Sequence, residues 1–306
     1  MKRFSAASFH HKNSYAGLGG AKEKLLAQLN IPDFVSNRTC TELNGYFGSR
    51  TSSNGKGKIE SCSTWFRCLV KMVPKVGREV AHESGPEYVQ DGGKYIWYEM
   101  SFFTRWDYPD QCRILCIDTP EHLGSELQTA LAQQPPLDFR DPLVMHRHLV
   151  DQIIVLYDIS VWRVRDPVRQ IERSRKNAGQ RFDEMHEMAR HGIHVSEVLE
   201  ASIQTLEAMQ SYQAAIHNET MLSECYRRQA NEYAKFQLQC LRSLKLRSQS
   251  NDKRLENEIN LAFNSIAHSD NTVMKSITIL TMSFLPATFI SVCGHGASRS
   301  HVRYAH

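Results

Sequence analysis

The sequence predicts an α+β fold: an N-terminal α/β cytosolic domain, then a long helical stalk that continues into one transmembrane helix. Three observations predict it. Segments rich in aromatic and branched residues (65–73, 95–106 and 113–117) sit in the first half of the chain. From residue 146 onward, apolar residues recur at spacings of three and four. One late segment, 273–293, is apolar over about the 20 residues that a bilayer core requires.

Residues 1–60 are rich in Ser, Gly, Asn and Lys and read as a flexible N-terminal region. Within them GSRTSSNGKGK (48–58) reads as a mobile loop. It is not a phosphate loop: Gly48 and Gly55 are too far apart, and Gly57 follows Lys56 where a hydroxyl residue is needed. The N-terminus lacks a continuous apolar run of signal-peptide length.

Residues 61–140 read as a small α/β domain. Gly85-Pro86 and Gly92-Gly93 separate its first two strands, and Pro109-Asp110 separates the last two. The stretch 131–142, with Pro135-Pro136, reads as a linker.

Residues 146–272 read as the helical stalk region. Tyr157, Val161, Val164, Val168 and Ile171 form one stripe of a first helix, which Pro167 kinks or restarts. A second helix covers 181–217, with Val195, Val198, Leu199, Ile203, Leu206 and Met209 on its apolar side and Gly192 near its start. A third begins near Glu219 and carries Leu255, Ile259, Ala262, Ile266 and Val273 at the same rhythm. No strong breaker follows before Pro286, so this helix would reach on the order of 100 Å. Such a rod suits a stalk packed against the second helix or against copies of itself.

The expected transmembrane helix, 273–293, holds one charge, Lys275, and six hydroxyls: Ser276, Thr278, Thr281, Ser283, Thr288 and Ser291. Hydroxyls in a membrane helix face other helices or a wet path, and a proline at 286 frees a carbonyl that needs a partner. Both point to self-association. A polar tail, 294–306, follows.

Hydrophobic residues make up 41% of the chain and charged residues 23%, which is ordinary for a folded protein. The net charge of +4 is too small for the length to argue for nucleic acid. The eight cysteines include no CxxC pair and read as reduced thiols; Cys112 and Cys116 share a strand face but lack further zinc ligands. His146 and His148, two apart on a helix, point to different sides. Asp183, Glu184 and Glu187 read as a solvated acidic face, although Mg²⁺ favours such oxygens. No catalytic triad, carboxylate pair or dinucleotide signature has its required setting, so the chain is not read as an enzyme and no resident cofactor is expected.

The run DNTVMKSITILTMSFLPATFI (270–290) resembles the stalk end and first transmembrane helix of the CorA family of divalent-metal transporters. The segments 146–172, 186–207, 65–73 and 95–106 are similar to the family's fungal branch. The resemblance implies a membrane protein, pentameric, with a large cytosolic domain and a central pore that carries Mg²⁺ as transported or regulatory ion. It implies that Asn271, Met274, Ile277, Thr281, Leu285 and Thr288 line the pore, with Pro286 as a helix kink. The sequence departs from the family at the filter. His295, Gly296 and Ala297 stand at the filter positions, and no second apolar stretch follows. The expectation is therefore a CorA-like protein truncated after its first transmembrane helix, single-pass near the C-terminus. The alternative is a tail-anchored, non-conducting scaffold or a modulating subunit of full-length relatives.

Overall fold

The computed structural model describes residues 4–9, 24–74, 95–133, 137–175 and 181–297; within these, the side chains of 4–9, 130, 131, 133, 269–272 and 283–297 are not described. The elements run β1 (Phe4–Phe9), α1 (Arg38–Glu42), β2 (Gly45–Ser53), β3 (Ile59–Met72), β4 (Ile96–Asp107), β5 (Gln111–Ile117), α2 (Glu121–Gln133), α3 (His146–Arg173), α4 (Phe182–Glu219) and α5 (Glu224–Ala297). The architecture is α+β, with one sheet followed by three long helices.

The sheet has the order β1-β5-β4-β3-β2. Only the β1–β5 pair is parallel; the other three pairs are antiparallel. It is thus a mainly antiparallel sheet rather than the α/β arrangement expected. β3 is buried almost throughout, because helices cover one of its faces and the 26–35 segment caps part of the other. Phe66 and Phe102 stack across β3 and β4 with ring centroids 4.7 Å apart, the kind of cross-strand pair that holds a sheet in register.

The N-terminal expectation is corrected here. Residues 45–53, read as part of a flexible region, form strand β2, and only 54–58 make the turn to β3. Asn54 holds that turn: its side chain accepts from the Lys56 and Lys58 amides at 3.0 Å. Gly48 is a strand residue for a packing reason. The Trp65 indole lies where a Cβ would stand, 2.4 Å from its nearest atoms. Leu26, Leu29, Ile31 and Val35 likewise leave the loop reading and pack on Phe103 and Leu115.

The three helices form a bundle on the sheet. Leu149, Ile153, Tyr157, Val161, Val164 and Val168 of α3 are buried, so the expected stripe is the core stripe. The Tyr157 hydroxyl donates to the Leu69 carbonyl at 2.7 Å and shares a hydrogen bond with Ser202, tying sheet, α3 and α4 together. Pro167 sits inside α3 without ending it. Gly192 does not interrupt α4; it lets α5 approach, since an added Cβ would stand 2.3 Å from the Asp252 carboxylate.

α5 is 74 residues long and has two characters. As far as Ala262 it packs on α3 and α4 through Leu238, Leu241, Leu244, Leu255 and Ala262. Ion pairs Arg242–Glu207, Lys245–Glu200, Arg254–Glu172 and Arg175–Glu258 flank the seam. Beyond Ala262 every described side chain is exposed. The predicted stripe therefore splits. Leu255, Ile259 and Ala262 belong to the chain's own core, while Ile266 and Val273 are 38% and 54% exposed.

Candidate functional site

The first candidate is the exposed end of α5. Val273, Met274, Ile277, Ile279, Leu280 and Met282 are each more than half exposed, and they point in all directions around the helix. An apolar surface of this kind marks contact with a membrane or another chain. Three residues expected to line a pore, Met274, Ile277 and Thr281, lie on one face of this stretch. The side chains of Asn271, Leu285, Pro286 and Thr288 lie outside the described residues, as does the tail from 298 onward. Among the described residues no helix is long and apolar enough to cross a membrane. The expected crossing segment, 273–293, is described with its side chains only as far as Met282.

Two hydroxyls of this stretch bond within their own helix. Thr278 donates to the Met274 carbonyl at 2.8 Å, and Thr281 donates to the Ile277 carbonyl at 2.9 Å. Returning a hydroxyl to the carbonyl one turn back satisfies its donor within the helix. Each hydroxyl oxygen keeps its acceptor capacity, so these bonds are compatible with the expected self-association.

The second candidate was invisible in the sequence. A cavity of about 280 Å³ opens where the 137–145 segment, the start of α3, the end of α4 and the start of α5 converge. Asp141, only 2% exposed, organises its base. Its carboxylate accepts from His217 Nε2 at 2.9 Å, from the Tyr226 hydroxyl at 2.9 Å and from the Leu143 amide at 2.8 Å. Burial, and then the Asp141 charge, push the Tyr226 phenol well above its ordinary pKa, so it stays a donor. On the α3 side Asp151 accepts from Tyr233 at 2.9 Å and Gln237 at 2.8 Å. These partners are 76 to 86 residues apart along the chain, and no local pattern announces them.

His146 and His148 both line this cavity from the first turn of α3. His146 Nε2 is hydrogen-bonded to Thr64 Oγ1 at 2.7 Å, and burial lowers its pKa to about 4. His148 is held below its ordinary value, first by burial and then by the Arg147 charge. Both are therefore neutral at pH 7. Among the described residues no group of three or more His, Cys, Asp or Glu is placed to hold a metal ion. Glu184 of the expected acidic face is paired with Arg181, and Glu187 with Arg190. Cys112 and Cys116 are buried free thiols, pushed up to about 12 by burial.

A third polar cluster joins sheet to helix. Lys71 Nζ donates to His194 Nδ1 at 2.7 Å and lies 4.2 Å from the Tyr95 ring centre. Burial first, then Arg190, lower its pKa to about 8. The ammonium lies over the Trp97 ring as well, 5.0 Å from its centre, and the Glu187 charge partly offsets the lowering.

With this geometry in hand, the likeness to known proteins is informative about shape. The chain superposes on the structure of the full-length CmaX protein with a TM-score of 0.58, at 11% identity, covering 99% of this chain and 77% of that one. It superposes on the CorA magnesium transporter from Methanocaldococcus jannaschii with a TM-score of 0.53, at 11% identity, covering 99% and 80%. At these identities the likeness establishes the fold: a sheet-and-helix body with long helices, as in CorA-type cytoplasmic domains. In sequence the chain is 27% identical over 242 residues to the notoamide biosynthesis cluster protein M' of Aspergillus versicolor. That match covers 66% of this chain, which spans about half the length (51%) of that curated relative. No family model matches the chain.

Proposed function

We propose that this protein is a membrane-associated relative of the CorA-type metal transporters, with its sheet-and-helix body in the cytosol and the end of α5 entering the bilayer. The observation that carries the reading is the change in α5 at Ala262. Up to that residue the helix buries its apolar stripe within a body of CorA-type shape; after it, apolar side chains are exposed all round. In this reading copies of α5 gather about an axis, as a homo-oligomer and by resemblance a pentamer. Met274, Ile277 and Thr281 face that axis, with Asn271, Leu285 and Thr288 continuing the same stripe and Pro286 bending the helix. Mg²⁺ is the ion the resemblance favours, as cargo or regulator. The proposal contains no catalytic step.

A second reading, a tail-anchored non-conducting scaffold or a subunit modulating longer relatives, is favoured by one observation. Thr278 and Thr281 spend their hydroxyls on their own helix, so they supply no donor to a neighbouring helix. The filter positions His295, Gly296 and Ala297 fit that reading too.

The test has two arms. Membranes from expressing cells are washed in alkaline carbonate, and the protein is then examined by native mass spectrometry in mild detergent. Retention in the pellet and a discrete oligomer are expected; complete release as monomer would overturn the membrane reading. Mg²⁺ flux into liposomes, with this chain alone and together with a longer relative, separates transporter from modulator.

A further inference from the structure

We propose that the cavity between α3, α4 and α5 binds a small carboxylic acid with an apolar body. This goes beyond the membrane reading and does not depend on it. The walls are apolar where Leu143, Val144, Leu206 and Met209 face the space of about 280 Å³, a volume at the small end of ligand sites. The charge of the ligand follows from which charged groups at the site are already committed. The three lining or adjoining carboxylates are answered: Asp141 by His217, Tyr226 and the Leu143 amide, Asp138 by Arg140, and Asp151 by Tyr233 and Gln237. The cation is not. Arg147 is exposed on the same lining, its guanidinium stacked 3.8 Å from the Tyr233 ring centre, with no ion-pair partner among the described residues. A guanidinium stacked by its face still presents N–H groups at its edge, and that edge matches a carboxylate with two parallel hydrogen bonds.

A second, independent observation points to an occupant of the cavity. His148 is 3% exposed and lines the cavity, yet its Nε2 has no hydrogen-bond partner among the described residues. Buried polar nitrogens are ordinarily satisfied. The side-chain amides of Gln210, Gln213 and Gln229 also line the space. The site thus sets one guanidinium without an ion pair, and one buried imidazole nitrogen without a partner, around an apolar floor. Because α3, α4 and α5 all contribute, an occupant would hold the start of α5 to the body.

The experiment compares 3-phenylpropanoate with its neutral isostere 3-phenylpropanamide, by calorimetric titration of the full chain in mild detergent. The carboxylate should bind at least about tenfold more tightly than the amide. Arg147→Gln should abolish that preference while leaving the melting temperature unchanged, since Arg147 is exposed. Ala230→Trp, which fills the cavity, should lose both ligands; should it fail to fold, Arg147→Gln alone decides. Equal affinity for acid and amide, no binding of either at millimolar concentration, an undiminished preference in Arg147→Gln, or tighter binding of phenethylammonium would each overturn the proposal.

Discussion

α5 is one continuous helix with two halves that obey different rules. In the first half, up to Ala262, one apolar stripe is covered by α3 and α4, with Leu241, Leu255 and Ala262 at most 1% exposed, while Phe236, Leu246 and Leu261 stay exposed off that stripe. In the second half the apolar residues fall on every side, and Ile279, Leu280 and Met282 are 57–70% exposed. The first half is rich in charged residues, whereas 263–297 holds two, Asp270 and Lys275. The halves differ also in whether the same chain supplies the cover. Burial of each large side chain in the first half contributes about 1.5–3 kcal/mol, and that gain is local to the body. The second half gains nothing from its own fold and relies on what surrounds it.

The largest effect expected from this contrast comes from one substitution made in each half. Leu255→Asp places an unpaired charge in the bundle core, at a cost of about 3–5 kcal/mol. That is a large share of a domain's stability. Thermal melting followed by circular dichroism should show a body that is unfolded or melts far lower. Leu280→Asp should leave the body's melting unchanged and instead release the protein from the membrane fraction. If Leu280→Asp unfolds the body, the two halves are not independent.

The second test uses pH. His146 in the first-turn region of α3 has a folded-state pKa of about 4, against an ordinary value of 6.5, because burial disfavours its charge. The folded state thus binds fewer protons than the unfolded state between those values. Stability contributed by keeping His146 neutral is fully present above pH 6.5 and is lost as pH falls from 6.5 towards 4, by up to about 3 kcal/mol. His191, lowered to about 4 chiefly by burial and then by Lys71, adds in the same window. Urea midpoints at pH 7 and pH 5 should differ strongly in the native protein and less in His146→Gln. Membrane retention, which depends on the other half of α5, should be the same at both values.

A smaller effect tests the contact between α4 and α5. Gly192→Ala would gain up to about 1 kcal/mol of helix propensity in isolation. Here the new methyl would stand 2.3 Å from Asp252 Oδ1 and must push aside a carboxylate whose other oxygen accepts from Ser196 at 2.7 Å. A net loss of about 1–2 kcal/mol is expected, as for other overpacked sites. An increase in the urea midpoint would mean that Asp252 relaxes freely and that the close approach is not needed.

The positions of these residues also explain what the sequence could tell. β3, β4 and β5 were legible because aromatic and branched residues cluster where strands are buried, and the stripes of α3 and α4 because their spacing repeats. β2 was not. Its sequence, GYFGSRTSS, has the composition of a loop, and Gly48 reads as a breaker unless one knows that Trp65 covers it from the next strand. The stripe on α5 gave direction but not cover: Ile259 and Ile266 look alike in sequence, yet only the first packs against the body core. The Asp141–His217–Tyr226 base of the cavity had no local signal at all, since tertiary packing alone assembles it.

The smallest expected effect is the sharpest probe of the exposed half. Thr281 donates its hydroxyl to the Ile277 carbonyl, one turn back in its own helix. Replacing it by Val keeps the shape and removes only that hydroxyl. The Ile277 carbonyl keeps its place in the helix ladder, so body stability should change by less than about 0.5 kcal/mol. Membrane retention should rise slightly or stay the same, because Val is more apolar than Thr. The oligomer seen by native mass spectrometry should also be unchanged if packing between copies rests on Met274 and Ile277. A loss of the oligomer in Thr281→Val, with the body still folded, would mean that this hydroxyl turns to a neighbouring helix or to water in the assembled protein. It would favour a wet pore over an apolar seam. The parallel change Ile277→Val, which removes one methylene and no hydrogen bond, then separates the two causes: it should weaken an apolar seam and leave a hydroxyl-held one intact.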